Sequence, residues 1–390
     1  MLPAIVVPAY NRPDALARLL ASLETANVPT GTTLVIAIDR AAKTEHKPGN
    51  EAVLQAARRF EWTHGPKEII DHPDHLGLVG NVFYCGSLAE SFGAIILLED
   101  DLIVSRRFYD YAQQALACYA SEQHLAGISL NALWFNGFTH QPFIPLPDDG
   151  DVFFLQLSTP QGQVYTAAQW LDFANWTAVH GYQVTALDNV HELFASFPAD
   201  DWLAIKAKYL SSTDKYYVYP RESLTTNFGD PGTHFTHRTA LFQVPLQQLR
   251  REFRFLPFEQ AIAVYDGFYE LIPERLGRMV EAVRDLSLDV DLYASKAPHQ
   301  LRAEYTLTTR PCRRPLVTFA RELRPMEANV IAGLTGEGIY LARREDVETG
   351  HEASRRAQQA NDRYFNRRTP RAMGNGERIH EWLRQRMRRK

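Results

Sequence analysis

Three carboxylates in a row, Glu99-Asp100-Asp101, follow the apolar run Ala94-Ile-Ile-Leu-Leu98. Adjacent acids repel one another, and a hard divalent cation is the simplest species that relieves them. Mn²⁺ or Mg²⁺ takes oxygen ligands and commonly shares them with substrate phosphates. A second acidic pair, Asp200-Asp201, precedes Trp202 and a helical pattern. A carboxylate there can serve as a general base, or it can simply cap the helix that follows. Asp39 ends the apolar run Leu34-Val-Ile-Ala-Ile38, a position from which an acid can hold a nucleotide ribose or base. Arg12 lies in the turn Ala9-Tyr-Asn-Arg12, and His75 closes the loop Asp71-His-Pro-Asp-His75. The 13 histidines include no pair in the context of a zinc site.

The elements that must position these groups read as an α/β sheet. Ala4-Ile-Val-Val-Pro8 predicts a buried strand, and Pro13 pre-sets a helix with Leu16, Leu19, Leu20 and Leu23 on one face. Leu34–Ile38 predicts a second strand, Gln55–Phe60 a helix, Glu68–Ile70 a third strand and Asn81–Ser91 a helix. The run at Ala94 lacks alternation, as a parallel strand covered on both faces does. The order is βαβαβαβ, with the acidic triplet at the carboxyl end of a strand, where open α/β sheets bind ligands.

Beyond the triplet, Ser105 is a candidate N-cap for a helix through Tyr119, and Ala126–Leu130 reads as a strand. Residues 131–165 form a long excursion whose Trp134, Phe135, Phe138 and Phe143 suit either core packing or an acceptor sugar. Helices are expected over Ala167–His180, His191–Phe197 and Trp202–Leu210, and a strand over Tyr216–Pro220. An irregular segment, 221–237, holds Gly229, Pro231 and Gly232 and resembles a lid in composition. The texture changes near Val244. The expectation is a first domain over 1–244 and a mostly helical C-terminal region over 245–390, with helices at Phe258–Tyr265 and Pro273–Leu286 and short strands near Leu316–Phe319 and Gly338–Leu341.

Composition narrows the classes. A net charge of −4 argues against a nucleic-acid binder. Three widely spaced cysteines suit a reducing compartment better than a disulfide framework. The first strand begins by Ala4 and no run approaches the roughly 20 apolar residues of a membrane span, so a cytoplasmic location is expected. The last thirty residues carry ten Lys or Arg against three acids, with Ile379, Trp382, Leu383 and Met387 at helical spacing. That tail is a candidate contact to an anionic membrane surface, or a solvated end.

Pro8-Ala-Tyr-Asn-Arg12, the Asp39 strand end and Glu99-Asp-Asp101 together resemble a GT-A glycosyltransferase. Pro73-Asp-His75, Asp200-Asp-Trp202 and Pro220-Arg-Glu-Ser-Leu-Thr-Thr-Asn-Phe-Gly-Asp-Pro-Gly232 extend the likeness to the N-acetylglucosaminyltransferase I family, in that family's order and over about residues 4–237. The resemblance implies a Rossmann-like GT-A sheet and a metal-dependent, inverting transfer from a UDP-sugar, UDP-GlcNAc first, to a glycan or lipid-linked acceptor. It implies that Arg12 and Asp39 contact the uridine side, that His75 sits near the donor nucleotide, and that Pro8 and Tyr10 belong to the same donor site. Asp100 would touch the donor ribose or sugar with Glu99 in support, and Asp101 would be the one protein ligand of the metal. Asp200 would be the base with Asp201 in reserve, and Ser223 would contact the donor. The family's Trp before the acidic pair is Ala199 here, and residues beyond Val244 match nothing in it. Two other enzyme readings stay open, a retaining transferase and a nucleotidyltransferase. A non-catalytic carbohydrate-binding protein is the alternative from another class.

Overall fold

The computed structural model describes residues 2–198, 201–231 and 237–366. In chain order the first half comprises β1 (Ala4–Ala9), α1 (Pro13–Glu24), β2 (Leu34–Ile38), α2 (Lys47–Arg59), β3 (Lys67–Asp71), α3 (Gly77–Ser87), α4 (Ala89–Phe92), β4 (Ala94–Leu97), β5 (Leu102–Val104), α5 (Phe108–Tyr119) and β6 (Leu125–Ser129). There follow β7 (Val152–Leu155), β8 (Gln163–Thr166), α6 (Ala167–His180), α7 (Trp202–Thr213), β9 (Tyr216–Pro220), β10 (Thr225–Asn227) and β11 (Val264–Tyr265). The rest is α8 (Pro273–Met279), β12 (Leu288–Asp291), β13 (Tyr305–Thr308), β14 (Pro315–Ala320), α9 (Glu327–Ile331), β15 (Gly338–Arg343) and α10 (His351–Phe365).

Nine strands form one sheet in the order β11-β7-β9-β6-β8-β4-β1-β2-β3. β3, β2, β1 and β4 run parallel, and β8 is antiparallel to both of its neighbours, β4 and β6. Alternate residues of the parallel strands enter two cores. Ile5, Val7, Ile36 and Ile96 pack on α1, α2 and α5; Val6, Val35 and Ile95 face the side of α3, α6 and α7. The strands are therefore apolar on both faces, which is why their sequences do not alternate. The result is a three-layer α/β/α arrangement, as the sequence pattern anticipates.

Several elements differ from expectation. The 131–165 excursion contributes two strands to the large sheet, β7 and β8, each buried throughout. His191–Phe197 is a single 3₁₀ stretch, Glu192–Ser196. Phe258–Tyr265 is not a helix but a 3₁₀ turn, Phe258–Gln260, and the two-residue strand β11, which pairs with β7. The region after Val244, expected to be mostly helical, also holds a four-stranded sheet in the order β12-β13-β15-β14. Both short strands anticipated there are present, as β14 and β15. No helix among the described residues is long and apolar enough to cross a membrane.

Candidate active site

The chain order along the sheet reverses at β1: β2 and β3 lie on one side of it and β4 on the other. A doubly wound sheet leaves a crevice at such a point, beyond the carboxyl ends of its strands. Pro13 at the first position of α1 sets the helix without help from the preceding side chain, and Arg12 makes no capping bond. Its guanidinium instead crosses the crevice. Nη1 donates to Asp101 Oδ2 at 2.8 Å and Nη2 donates to Asp100 Oδ1. The cation that meets the acidic triplet in the protein itself is thus Arg12.

One guanidinium serves three carboxylates. Burial pushes the Glu99 carboxyl well above the usual range and the charge of Asp101 adds to it, with Arg12 pulling the other way. Burial likewise raises Asp100 to about 6, against the pull of Arg12. Burial would lower the pKa of Arg12, but Asp100 and Asp101 outweigh it and hold the guanidinium firmly charged. The tip is short of positive charge.

Asp39 is 3% exposed and is held by backbone amides. Leu76 N donates to its Oδ1 at 2.7 Å and Gly77 N to its Oδ2 at 3.0 Å, so it caps the start of α3 from a neighbouring strand. His75 Nδ1 lies 2.8 Å from Asp39 Oδ2 and 2.8 Å from the Arg40 carbonyl. The Tyr10 hydroxyl is hydrogen-bonded to His46 Nδ1 at 2.7 Å, and the Tyr10 ring lies 5.9 Å from that of His75. Asn50 Nδ2 donates to the Tyr10 and Asp39 carbonyls at 2.7 and 2.8 Å, tying the two strand ends together. A side chain at Gly49 would come within 2.7 Å of the Asn11 carbonyl, so only glycine lets α2 approach this turn.

These groups line one cavity of about 1060 Å³. Pro8, Tyr10, Arg12, Asp39, His75, Glu99, Asp100, Asp101 and Asp201 all reach it, although they come from five separate stretches of chain. Asp201 is the N-cap of α7, its Oδ1 accepting from Leu203 N at 2.9 Å and Ala204 N at 3.0 Å. The capping reading therefore holds for Asp201, on the wall of the same cavity as the triplet. Asp200 lies outside the described residues.

Ser223 departs from its expected place. It is fully buried and does not line the cavity. Its hydroxyl donates to the Thr225 carbonyl at 2.7 Å and accepts from Ala132 N at 3.1 Å and Asn131 Nδ2 at 3.2 Å, so it braces the sheet and leaves no contact for a donor. Of the aromatic cluster, Phe143 is in the core, Phe138 stacks on His191 at 3.9 Å, and Trp134 is 54% exposed. Sequence reasoning missed His46, Asn81, Leu133, Thr159, Gln161 and Asp230 on the cavity wall. Asp230 is ion-paired to Arg18 of α1, whose guanidinium also lies 4.5 Å from the Phe228 ring centre. No local pattern marks those residues; only the fold assembles them.

No group of three or more His, Cys, Asp or Glu side chains that could hold a metal ion by themselves occurs among the described residues. The oxygen-only donor set and the surplus of carboxylate over guanidinium do fit a hard divalent cation that draws its other ligands from a phosphate-bearing substrate.

No family model and no curated protein matches the chain. Among solved structures, S. aureus TarS residues 1–349 is similar at 11% identity and a TM-score of 0.33, covering 58% of this chain and 60% of that one. The same fragment in complex with UDP aligns at 15% identity and a TM-score of 0.32 over 56% of this chain and 60% of that one. A UTP-bound UGPase from Acinetobacter baumannii aligns at 13% identity and a TM-score of 0.31, over 58% of this chain and 88% of that one. The chain thus spans less than two thirds of the TarS structures, and the chemistry of the site is read from its own residues.

Proposed function

We propose that this chain is a glycosyltransferase that moves a sugar from a UDP-sugar, GlcNAc as the first candidate, to a hydroxyl of a glycan or lipid-linked acceptor. The observation that carries the reading is the meeting of Arg12 with Asp100 and Asp101 across the crevice between β1 and β4, in a cavity that also reaches Asp201. Charges of both signs at a switch point suit a nucleoside diphosphate: the guanidinium fork matches phosphate oxygens. Asp101 would hold a divalent cation, Mn²⁺ or Mg²⁺, which bound there would neutralise charge on the departing diphosphate.

The protein's own groups divide the remaining work. Glu99 and Asp100 face the donor's sugar or ribose as hydrogen-bond acceptors. Tyr10, His46 and His75 form an aromatic and imidazole corner beside the Asp39 strand end, suited to a nucleoside. An inverting reaction also needs a base opposite the leaving group, worth roughly 10²- to 10⁴-fold. Asp200 is assigned that part. Asp201 caps the helix that follows, and residues 1–244 form the transferase unit.

UDP-, GDP- and dTDP-sugars tested for Mn²⁺-dependent stabilisation and donor turnover, in wild type and Asp101→Ala, decide the matter. A UDP-sugar should stabilise wild type with Mn²⁺, release UDP, and lose its metal dependence in the variant. Release of pyrophosphate from UTP and a sugar 1-phosphate, with no UDP released from any UDP-sugar, would instead identify a nucleotidyltransferase. Stabilisation by no nucleotide would leave a non-catalytic carbohydrate binder.

A further inference from the structure

We infer that Arg12 is a diphosphate ligand held in reserve by Asp100 and Asp101, and that its transfer makes nucleotide and metal bind together. The inference rests on the reading of Asp101 as the metal ligand. The resemblance places Arg12 on the uridine side; the ion pairs place it beside the carboxylate that would share a cation with the phosphates. Its Nη1 is 2.8 Å from Asp101 Oδ2, on the carboxylate that a cation would share with the diphosphate. Its second nitrogen holds Asp100. The side chain is 34% exposed toward the cavity and has no capping duty that would fix it.

A guanidinium and a divalent cation on one carboxylate repel each other at close range in a medium far less polar than water. Metal alone must therefore displace Arg12 or bind against its charge. A nucleoside diphosphate removes the conflict, because its oxygens offer the fork a second bidentate partner and the cation further ligands. Arg12 thus weakens the binding of metal alone and strengthens the joint binding of metal and UDP. Such coupling is reciprocal: Mn²⁺ must raise UDP affinity by the factor by which UDP raises Mn²⁺ affinity.

The test measures free Mn²⁺ by electron paramagnetic resonance, with and without UDP, in wild type, Arg12→Gln and Arg12→Lys. UDP and uridine affinities are measured alongside by calorimetry. Without nucleotide, Arg12→Gln should bind Mn²⁺ roughly 10- to 100-fold more tightly than wild type, within the usual range of coupling between two sites. With UDP its further gain should be much smaller than that of wild type. Uridine affinity should stay unchanged. Equal or weaker Mn²⁺ binding by a folded Arg12→Gln overturns the inference, and so does a loss of uridine affinity. If Arg12→Gln does not fold, Arg12→Lys decides: it keeps the charge and loses the fork, so its coupling must fall below that of wild type, and equal coupling overturns the inference. Absence of Mn²⁺ binding with UDP in every protein sinks the metal reading itself and this inference with it.

Discussion

Asp200 and Asp201 are adjacent carboxylates with different assignments, and paired substitutions separate them. Asp201 Oδ1 accepts from two amides of the first turn of α7. Asp201→Asn keeps an oxygen for those amides and loses only the charge at the helix start, a cost of about 0.3–1 kcal/mol. Asp201→Ala also loses the cap, which adds about 1 kcal/mol. At about 2.1 cal/mol/K per residue, the unfolding entropy of 390 residues turns 1 kcal/mol into a Tm shift near 1 °C. Melting is therefore too blunt, and amide exchange at Leu203 and Ala204 is the better readout. In Asp201→Ala those amides should exchange at least about fivefold faster, the equivalent of 1 kcal/mol. In Asp201→Asn the change should be smaller. Donor turnover should fall roughly 10²- to 10⁴-fold in Asp200→Asn and by no more than a few-fold in Asp201→Asn. If Asp201→Asn is as slow as Asp200→Asn while its helix stays protected, Asp201 is the base and the division of labour is wrong. Unchanged exchange in Asp201→Ala would show that the cap contributes nothing.

Other outcomes follow from the same structure. Asp101→Ala should abolish Mn²⁺-dependent stabilisation by UDP and leave the apo melting temperature nearly unchanged; a retained metal effect would place the cation elsewhere. Glu327 accepts from the Tyr265 hydroxyl at 3.0 Å, and burial raises it from 4.5 to about 7. A carboxyl whose folded pKa lies above its unfolded one stabilises the protein below the unfolded value and loses that contribution as pH rises through the folded one. Wild type should thus lose on the order of 3 kcal/mol between about pH 4.5 and 7 from this group, and Glu327→Gln should shrink the loss across that window by about that amount in chemical denaturation. Gly86 sits in α3, where a Cβ would come within 1.9 Å of Trp170 Cζ2. Trp170 is 1% exposed and hemmed by Phe83, Tyr165 and Phe173, so it cannot retreat. Overpacking of roughly 1–3 kcal/mol should outweigh the helix propensity gained by Gly86→Ala, and a variant as stable as wild type in denaturant would contradict this.

What the sequence revealed and what it hid divide along physical lines. Parallel strands buried on both faces announce themselves as unbroken apolar runs, so β1, β2 and β4 were plain. The helix Ala167–His180 spans its expected range, and the structure shows what fixes its ends: a capping box of Thr166 and Gln169, and Gly181 at the C-cap. β7 and β8 were not, since each is four residues long and is flanked by Pro, Gly and Asp that read as loop. β11 has two residues and owes its existence to pairing with β7. The acidic triplet was visible as a cation seeker, but its partner lies 88 and 89 residues away in sequence, and only the adjacency of β1 and β4 joins them. Ser223 shows the opposite failure: a matched motif position whose hydroxyl the sheet had already engaged.

The antiparallel strand β8 bears on where the proposed acceptor would enter. β4 and β6 both run toward the carboxyl edge that carries the triplet. β8, between them, runs away from it, so the loop that leads into β8 lies at that same edge. Thr159, Pro160 and Gln161 from this loop line the cavity, and so does Leu133 from the start of the excursion after β6. The excursion therefore leaves from the active edge and returns to it, bracketing the triplet on the side away from β1 and the nucleoside corner. Asp201, Trp202 and Leu203 at the start of α7 line the same cavity. Under the proposed reading, a donor seated between β1 and β4 would leave its sugar facing this loop and the start of α7. Under the proposed transfer, acceptor selectivity would belong to residues 131–161 and the start of α7, and the nucleotide contacts to the ends of β1, β2 and β4. Exchanging the excursion should change acceptor preference with UDP affinity unchanged; a change in UDP affinity instead would show that this loop serves the donor.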